Sequence, residues 1–289
     1  MSKKIAIVSC SNSCIDYFEH PYDIAVFRSS LHLGGEDFLD YVDISAEEFY
    51  QRLIDNPSLF PSSSYMPLGQ MIEILNEKKQ QGYDTVIIIT ISKEMSGIYN
   101  ASLIAGEAVD GLDVIVFDSK TLAYPQAKMV LTAAKMASEE ESVSEILQAL
   151  EHIRDNNKIY FTVHTLDYLV KNGRLSGASG YIGNKLKIKP LLTITQDGFV
   201  ETVEKIRTFH KAVSRMMEIF FEEIEPYEVE VFITHANNPE TKDKLIEMLS
   251  EKRPEIKKIH ELPLTAVVGA HAGPKTIGIG YIKVQERKQ

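Results

Sequence analysis

At 289 residues the chain is long enough for one large or two medium domains, and two are expected. A net charge of −10 argues against broad binding to nucleic acid or anionic membranes, and 44% apolar with 25% charged residues is the composition of an ordinary globular protein. Two cysteines, Cys10 and Cys14, supply no disulfide framework; the apolar run at 5–8 is too short for a secretory signal, and no stretch reaches the roughly 18–20 apolar residues of an integral membrane segment, so a cytoplasmic location is expected.

Short apolar runs at 5–8, 24–27, 86–91, 114–117 and 159–163 read as buried strands. Helical patterns lie between them at 46–53 (with Ser45 as its cap), 68–79, 96–109, 126–137 and 142–154. Strands alternating with helices imply βαβ units and a mainly parallel sheet. Further on, 191–195 and 199–205 flank Asp197-Gly198, a strong hairpin turn signal. Helices fit 211–223 and 239–251, and strands fit 228–234 and 276–284. The fold class expected is α/β in two domains: a mainly parallel α/β domain over 1–156 and an α+β domain with an antiparallel component over 157–289. The polar break Asp155-Asn156-Asn157 sets that boundary.

Four places stand out as sites. Ser62, Ser63 and Ser64 follow Pro61 and precede a predicted helix. A helix cap needs one hydroxyl, so three in a row suit a ligand as well as a cap. Ser96-Gly97 follows the apolar run at 86–91 and opens the next helix. Amides and a hydroxyl at a helix N-terminus suit an anion, and glycine permits close backbone approach; capping by Ser92 or Ser96 accounts for the same residues. His271 sits among small neighbours from Gly269 to Pro274 and reads as a loop histidine, either structural or a donor to a carboxylate or a base. Residues 171–189 carry Lys171, Arg174, Lys185, Lys187 and Lys189 with no acid, a local charge reversal that fits a partner, a phosphate or a solvated loop. Cys10 and Cys14 lack C-x-x-C spacing and are expected as reduced thiols. No nucleophile elbow, phosphate-binding glycine loop, zinc spacing or dinucleotide fingerprint is present, and no metal or other cofactor is expected.

Taken in order, these segments resemble the DegV family of bacterial fatty-acid-binding proteins, which includes the carrier subunits of fatty acid kinase. The resemblance rests on Ile7-Val8-Ser9 with Ser11, Pro61-Ser62-Ser63-Ser64, Met95-Ser96-Gly97-Ile98-Tyr99 and Val116-Phe117-Asp118-Ser119. It continues through Leu166-Asp167-Tyr168-Leu169, Asn172-Gly173-Arg174-Leu175-Ser176, Lys189-Pro190-Leu191-Leu192, Lys205-Ile206-Arg207-Thr208, His235-Ala236-Asn237 and His271-Ala272-Gly273-Pro274. The resemblance implies a two-domain protein that buries a long acyl chain in one domain, with its carboxylate at the domain interface. It assigns the carboxylate to Ser63, with Ser64 beside it, to Ser96-Gly97 and to His271. It assigns Arg174 and Arg207 to the handover of the acyl group to a kinase. The chain departs from the family pattern at Cys10, where Asp is usual, at Ser63, where Thr is usual, at Tyr65-Met66, which replaces Gln-Pro, and at 123–127, which replaces a glycine-rich stretch.

The expected function is therefore that of a carrier rather than an enzyme: it binds a long-chain fatty acid as its ligand and presents it to a fatty acid kinase subunit for phosphorylation. Two other readings fit the same residues. One is a serine hydrolase or acyltransferase using Ser96 and His271; the other is a regulator that has lost lipid binding.

Overall fold

The computed structural model describes residues 4–177 and 188–287. In chain order these form strands β1 (Ile5–Cys10), β2 (Ile24–Phe27), β3 (Ser30–Leu33) and β4 (Glu36–Leu39), helix α1 (Ala46–Asp55), strand β5 (Ser62–Ser64) and helix α2 (Leu68–Gln80). Next come β6 (Thr85–Thr90), α3 (Ile98–Glu107), β7 (Asp113–Asp118), α4 (Ala123–Ser138), α5 (Val143–Asp155), β8 (Asn157–Thr162) and α6 (Asp167–Lys171). The chain continues with β9 (Leu191–Ile194), β10 (Val200–Glu204), α7 (Phe209–Ile224), β11 (Tyr227–His235), α8 (Pro239–Lys252), β12 (Ile259–Pro263), α9 (Ala266–Ala272) and β13 (Ile277–Glu286).

Two compact units result: Met1–Ser30 with Ser63–Asp155, and Leu31–Ser62 with Asn156–Gln289. This differs from a single division at residue 156. The segment Leu31–Ser62 packs with the second unit, and the cause is visible in α1, where the Tyr50 hydroxyl donates to the carbonyls of Leu264 (3.0 Å) and Thr265 (3.2 Å).

The first unit holds a four-stranded sheet of order β2-β1-β6-β7 with every pair parallel. All residues of β1 and β6 are buried. Parallel strands linked by crossover helices have both faces covered, so their sequences are apolar throughout instead of alternating. Helix α4 lies against β1 and β6, and α3 lies against β6 and β7.

The second unit holds a six-stranded sheet of order β10-β9-β8-β13-β11-β12. Its pairs are antiparallel except β11 with β12. The run at 159–163, grouped by its pattern with the parallel strands, is β8 of this sheet, between β9 and β13. A short apolar run carries no mark of strand direction, which explains the difference. Helix α7 is capped by Thr208, whose hydroxyl accepts from Lys211 N (3.4 Å). It turns Ala212, Val213, Met216, Met217, Phe220 and Ile224 inward, a helical stripe that packs with Tyr160, Val231, Ile233 and Ile279 of the sheet. A small sheet of order β4-β3-β5 completes the strands.

Gly280 of β13 stands opposite Phe232 of β11. A Cβ there would overlap the Phe232 ring and the backbone oxygen of Lys158. The ring covers the space a side chain would need, which shields an otherwise bare stretch of central strand. Gly280→Ala is expected to destabilise the protein by about 1–3 kcal/mol through overpacking. Urea denaturation would read this as a lower midpoint at unchanged slope.

Candidate functional site

In the first unit, buried hydroxyls crowd the carboxyl ends of the parallel strands, the edge where ligands bind in such sheets. Most of them hold turns. Ser9 donates to Ser13 Oγ (2.8 Å), Ser13 to the carbonyl of Cys10 (2.9 Å), and Ser119 to the carbonyl of Thr121 (3.1 Å). Ser11 Oγ accepts from Ser29 N (3.0 Å), and Ser92 Oγ accepts from Glu94 N (3.2 Å). Cys10 is fully buried, and its sulfur accepts from Gln126 Nε2 (3.1 Å). Burial pushes its thiol pKa up. Both cysteines are free thiols.

Ser63, Ser64, Ser96 and Gly97 differ from that set in being reachable. Ser63 and Ser96 are half-buried, and Ser64 and Gly97 are exposed. Ser96 Oγ accepts from Ile98 N (3.3 Å) at the start of α3. One lone pair of this serine is thus used beside the N-cap Gly97, and its hydroxyl hydrogen takes no part in that bond. The first amides of α3 point the same way as in any helix start, toward an anion.

Gly97 has φ −71°, an ordinary value. Its purpose is room: a Cβ there would stand 3.2 Å from Tyr65 Cε1. The structure therefore sets the ring of Tyr65, the residue after Ser64, against the Ser96-Gly97 turn. Tyr65 stands out in sequence only as a departure from the family pattern, and contact with Gly97 is not encoded in any local motif.

In the second unit, His271 lies in the last turn of α9, not in a loop. At Gly269 the Tyr50 ring occupies the place a Cβ would take. The helix ends at Gly273, whose φ of 81° is the positive value that favours glycine. Thr276 Oγ1 then donates to the carbonyls of Ala272 (3.0 Å) or Gly273 (2.9 Å). Burial, and secondarily the charge of Arg174, lower the His271 pKa to about 4, so the imidazole is neutral near pH 7.

Arg174 is exposed and its guanidinium donates to the carbonyl of Asn172. Asn172 Nδ2 in turn donates to the carbonyl of Ala270 (3.0 Å), next to His271. That bond fastens the Asn172-Gly173-Arg174 turn to α9, a role for Asn172 that its sequence position alone does not reveal. Arg207 is exposed in the connection between β10 and α7. Lys189 N donates to the carbonyl of Ile206 (2.6 Å), so the described end of the basic segment meets the connection that carries Arg207. Lys185 and Lys187 lie outside the described residues. Among the described residues no group of three or more His, Cys, Asp or Glu is placed to hold a metal ion, and no helix is long and apolar enough to cross a membrane.

Comparison with known proteins follows this geometry. The family model described as "Uncharacterised protein, DegV family" matches residues 4–284. The chain belongs to the DegV family. A DegV domain-containing protein of Listeria innocua is 32% identical over 284 residues, covering 97% of this chain and 99% of its own. Among solved structures, DegV of Bacillus subtilis, described as a fatty acid binding protein, has 29% identity and a TM-score of 0.84 over 98% of this chain and 100% of its own. A stearic acid-binding protein from Eubacterium ventriosum has 26% identity and a TM-score of 0.79 over 97% of this chain and 98% of its own. The fold, two units with one parallel and one largely antiparallel sheet, is that of these DegV relatives.

The lowered His271 pKa fixes a pH dependence. The unfolded chain binds the proton near pH 6.5 and the folded one near 4, so the stability tied to this residue is full above 6.5 and is lost as pH falls toward 4. Relative to His271→Gln, the wild type is expected to lose on the order of 2–3 kcal/mol across that window, followed by urea midpoints against pH. Arg174→Ala should reduce the loss only in part, because burial is the larger cause.

Proposed function

We propose that this DegV protein is a carrier of a long-chain fatty acid, which it presents to a partner kinase for phosphorylation of the carboxylate. The observation that carries the reading is full-length likeness, at 25% identity or more, to structures described as fatty acid binding, with Bacillus subtilis, Thermus thermophilus and Eubacterium ventriosum among their sources.

The chemistry of the chain agrees with it. Burying a sixteen-carbon tail is worth on the order of 10 kcal/mol at about 0.8 kcal/mol per CH2, before the costs of binding. The carboxylate loses water in exchange and needs hydrogen bonds in return, since a buried unpaired charge is prohibitive. We assign those bonds to the hydroxyls of Ser63, Ser64 and Ser96, the first amides of α3 beside Gly97, and His271. A neutral imidazole is suited to this. It donates one N–H without adding a buried charge of its own when the site is empty.

The Arg174 and Arg207 guanidiniums are exposed and meet phosphate through two parallel N–H groups, a geometry lysine lacks. We assign them to the acyl phosphate and the kinase. The kinase would bring nucleotide and metal, and the carrier would bring position. The carrier reading is preferred to the hydrolase reading because the likeness is to structures described as fatty acid binding.

The protein purified from a bacterial host is expected to carry C14–C18 fatty acid, detected by solvent extraction and by native mass spectrometry. A lipid-free preparation that also fails to bind added palmitate or oleate would overturn the proposal. Ser63→Ala and Ser96→Ala should each weaken fatty-acid affinity about tenfold, the size of one hydrogen bond to a charged group. Displacement of a fluorescent fatty acid measures this.

Arg174→Ala and Arg207→Ala should bind fatty acid nearly as the wild type does. Both should lower acyl-phosphate formation in a coupled assay with kinase and ATP. Unimpaired phosphorylation would remove the role assigned to the arginines and leave the lipid reading intact.

A further inference from the structure

A cavity of about 360 Å3 lies within the second unit and includes none of Ser63, Ser64, Ser96, Gly97 or His271. One side of it is apolar, built by Leu53, Pro57, Phe60 and Tyr168. That side is rigid for identifiable reasons. Phe60 stacks on Tyr168 with ring centroids 5.3 Å apart and planes at 15°. Tyr168 is in turn seated over Gly273, where a Cβ would collide with its ring.

The other side is basic. Lys171 Nζ lies 4.4 Å from the Phe60 ring centroid, so its charge is held at the mouth by a cation–π contact. Lys275 also lines the cavity, and it does so from a backbone that lysine disfavours, with φ 62°. Two bonds hold that conformation: Lys275 N donates to the carbonyl of Ala236 (2.7 Å), and Asn238 Nδ2 donates to the carbonyl of Lys275 (2.9 Å). Lys189 reaches the same place, its ammonium donating to the carbonyl of His164, another lining residue. The charges of Lys189 and Lys275 add to burial in lowering the His164 pKa, so both fields converge there. One acid, Asp167, is among the lining residues; it accepts from the Thr165 hydroxyl at 2.9 Å and its charge also acts on Lys189, so three lysines stand against one carboxylate there.

Backbone strain of this kind persists only where surrounding structure enforces it, and it concentrates at functional positions. Apolar walls with a few convergent polar groups and a volume of several hundred Å3 describe a small-molecule site. Ammonium groups gathered in an acidic protein select an anion, and lysine is a common phosphate binder.

We propose that this cavity binds a small organic phosphate monoester with a compact apolar body, at a site separate from the fatty acid. The phosphate meets Lys171, Lys189, Lys275 and His164, and the apolar body lies against Phe60, Leu53 and Pro57.

The probe is phenyl phosphate, titrated into the full chain in low salt and followed by calorimetry and by NMR shifts of residues 164–171. Saturable binding is expected, tighter than for inorganic phosphate and unchanged when the protein is loaded with palmitate. Lys275→Gly removes the charge while suiting the positive φ, so the fold is kept or stabilised. Lys171→Met keeps the aliphatic stem on Phe60. Each should weaken phenyl phosphate about fivefold or more and leave palmitate binding as it was. The proposal is overturned if phenyl phosphate does not saturate, if either variant binds it as well as the wild type, or if inorganic phosphate binds equally well. Competition by palmitate would also overturn it, by making the cavity part of the lipid's own site.

Discussion

Tyr50 ties helix α1 to helix α9 within the second unit. Its hydroxyl donates to the carbonyls of Leu264 and Thr265 just before α9, and its ring fills the space beside Gly269 inside that helix. Helix α9 is short and includes Val267, Val268 and Gly269, residues of weak helix propensity. It exists because of this contact and because Asn172 holds Ala270 from another side. The position of His271 and the seat of Tyr168 over Gly273 follow from where α9 is held. A ring beside a glycine is a contact with little freedom to relax, so it fixes the place of the helix that carries His271.

The first unit solves a different problem. Its parallel strands end in a dense set of hydroxyls, and a buried hydroxyl without a partner is costly. The buried serines Ser9, Ser13 and Ser119 donate to one another or to the backbone and so shape the strand ends. Ser63, Ser64 and Ser96, the candidate binding serines, are instead half-buried or exposed. Exposure, more than residue type, separates scaffold serines from candidate binding serines here. Ser96 belongs to both groups, since one lone pair accepts from Ile98 N while its hydroxyl hydrogen takes no part in that bond.

Much of this architecture is legible from the chain alone. β1 and β6 announce themselves through the unbroken apolar runs Ile5–Val8 and Val86–Ile89, and the hairpin at Asp197-Gly198 is written in its turn residues. β4, with Glu36 and Asp37, and β12, with His260 and Glu261, are short and polar and carry no periodic signal. α9 is hidden because tertiary contacts override its weak propensity. In the site, the serine turns and His271 are legible as residues, through chemistry and family pattern. Their surroundings are not: Tyr65 against Gly97, Asn172 on Ala270 and Lys275 at the cavity are long-range contacts, and no local spacing specifies which distant residue will arrive.

The path of the chain through the two units has a consequence for synthesis. After Ser30 the chain leaves the first unit, returns after Ser62 and leaves again after Asp155. Tyr50 therefore emerges from a ribosome 214 residues ahead of Leu264. At about 5–20 residues per second that interval is roughly ten to forty seconds. Throughout it Phe49, Tyr50 and Leu53, all buried in the finished protein, wait on an amphipathic helix without the α9 surface that will cover them. The first unit has its whole sequence available by Asp155 and can close around its parallel sheet with α1 looped out. This order of segments lets the first unit be completed while the apolar face of α1 still lacks α9, a stretch of synthesis in which that face is exposed to aggregation.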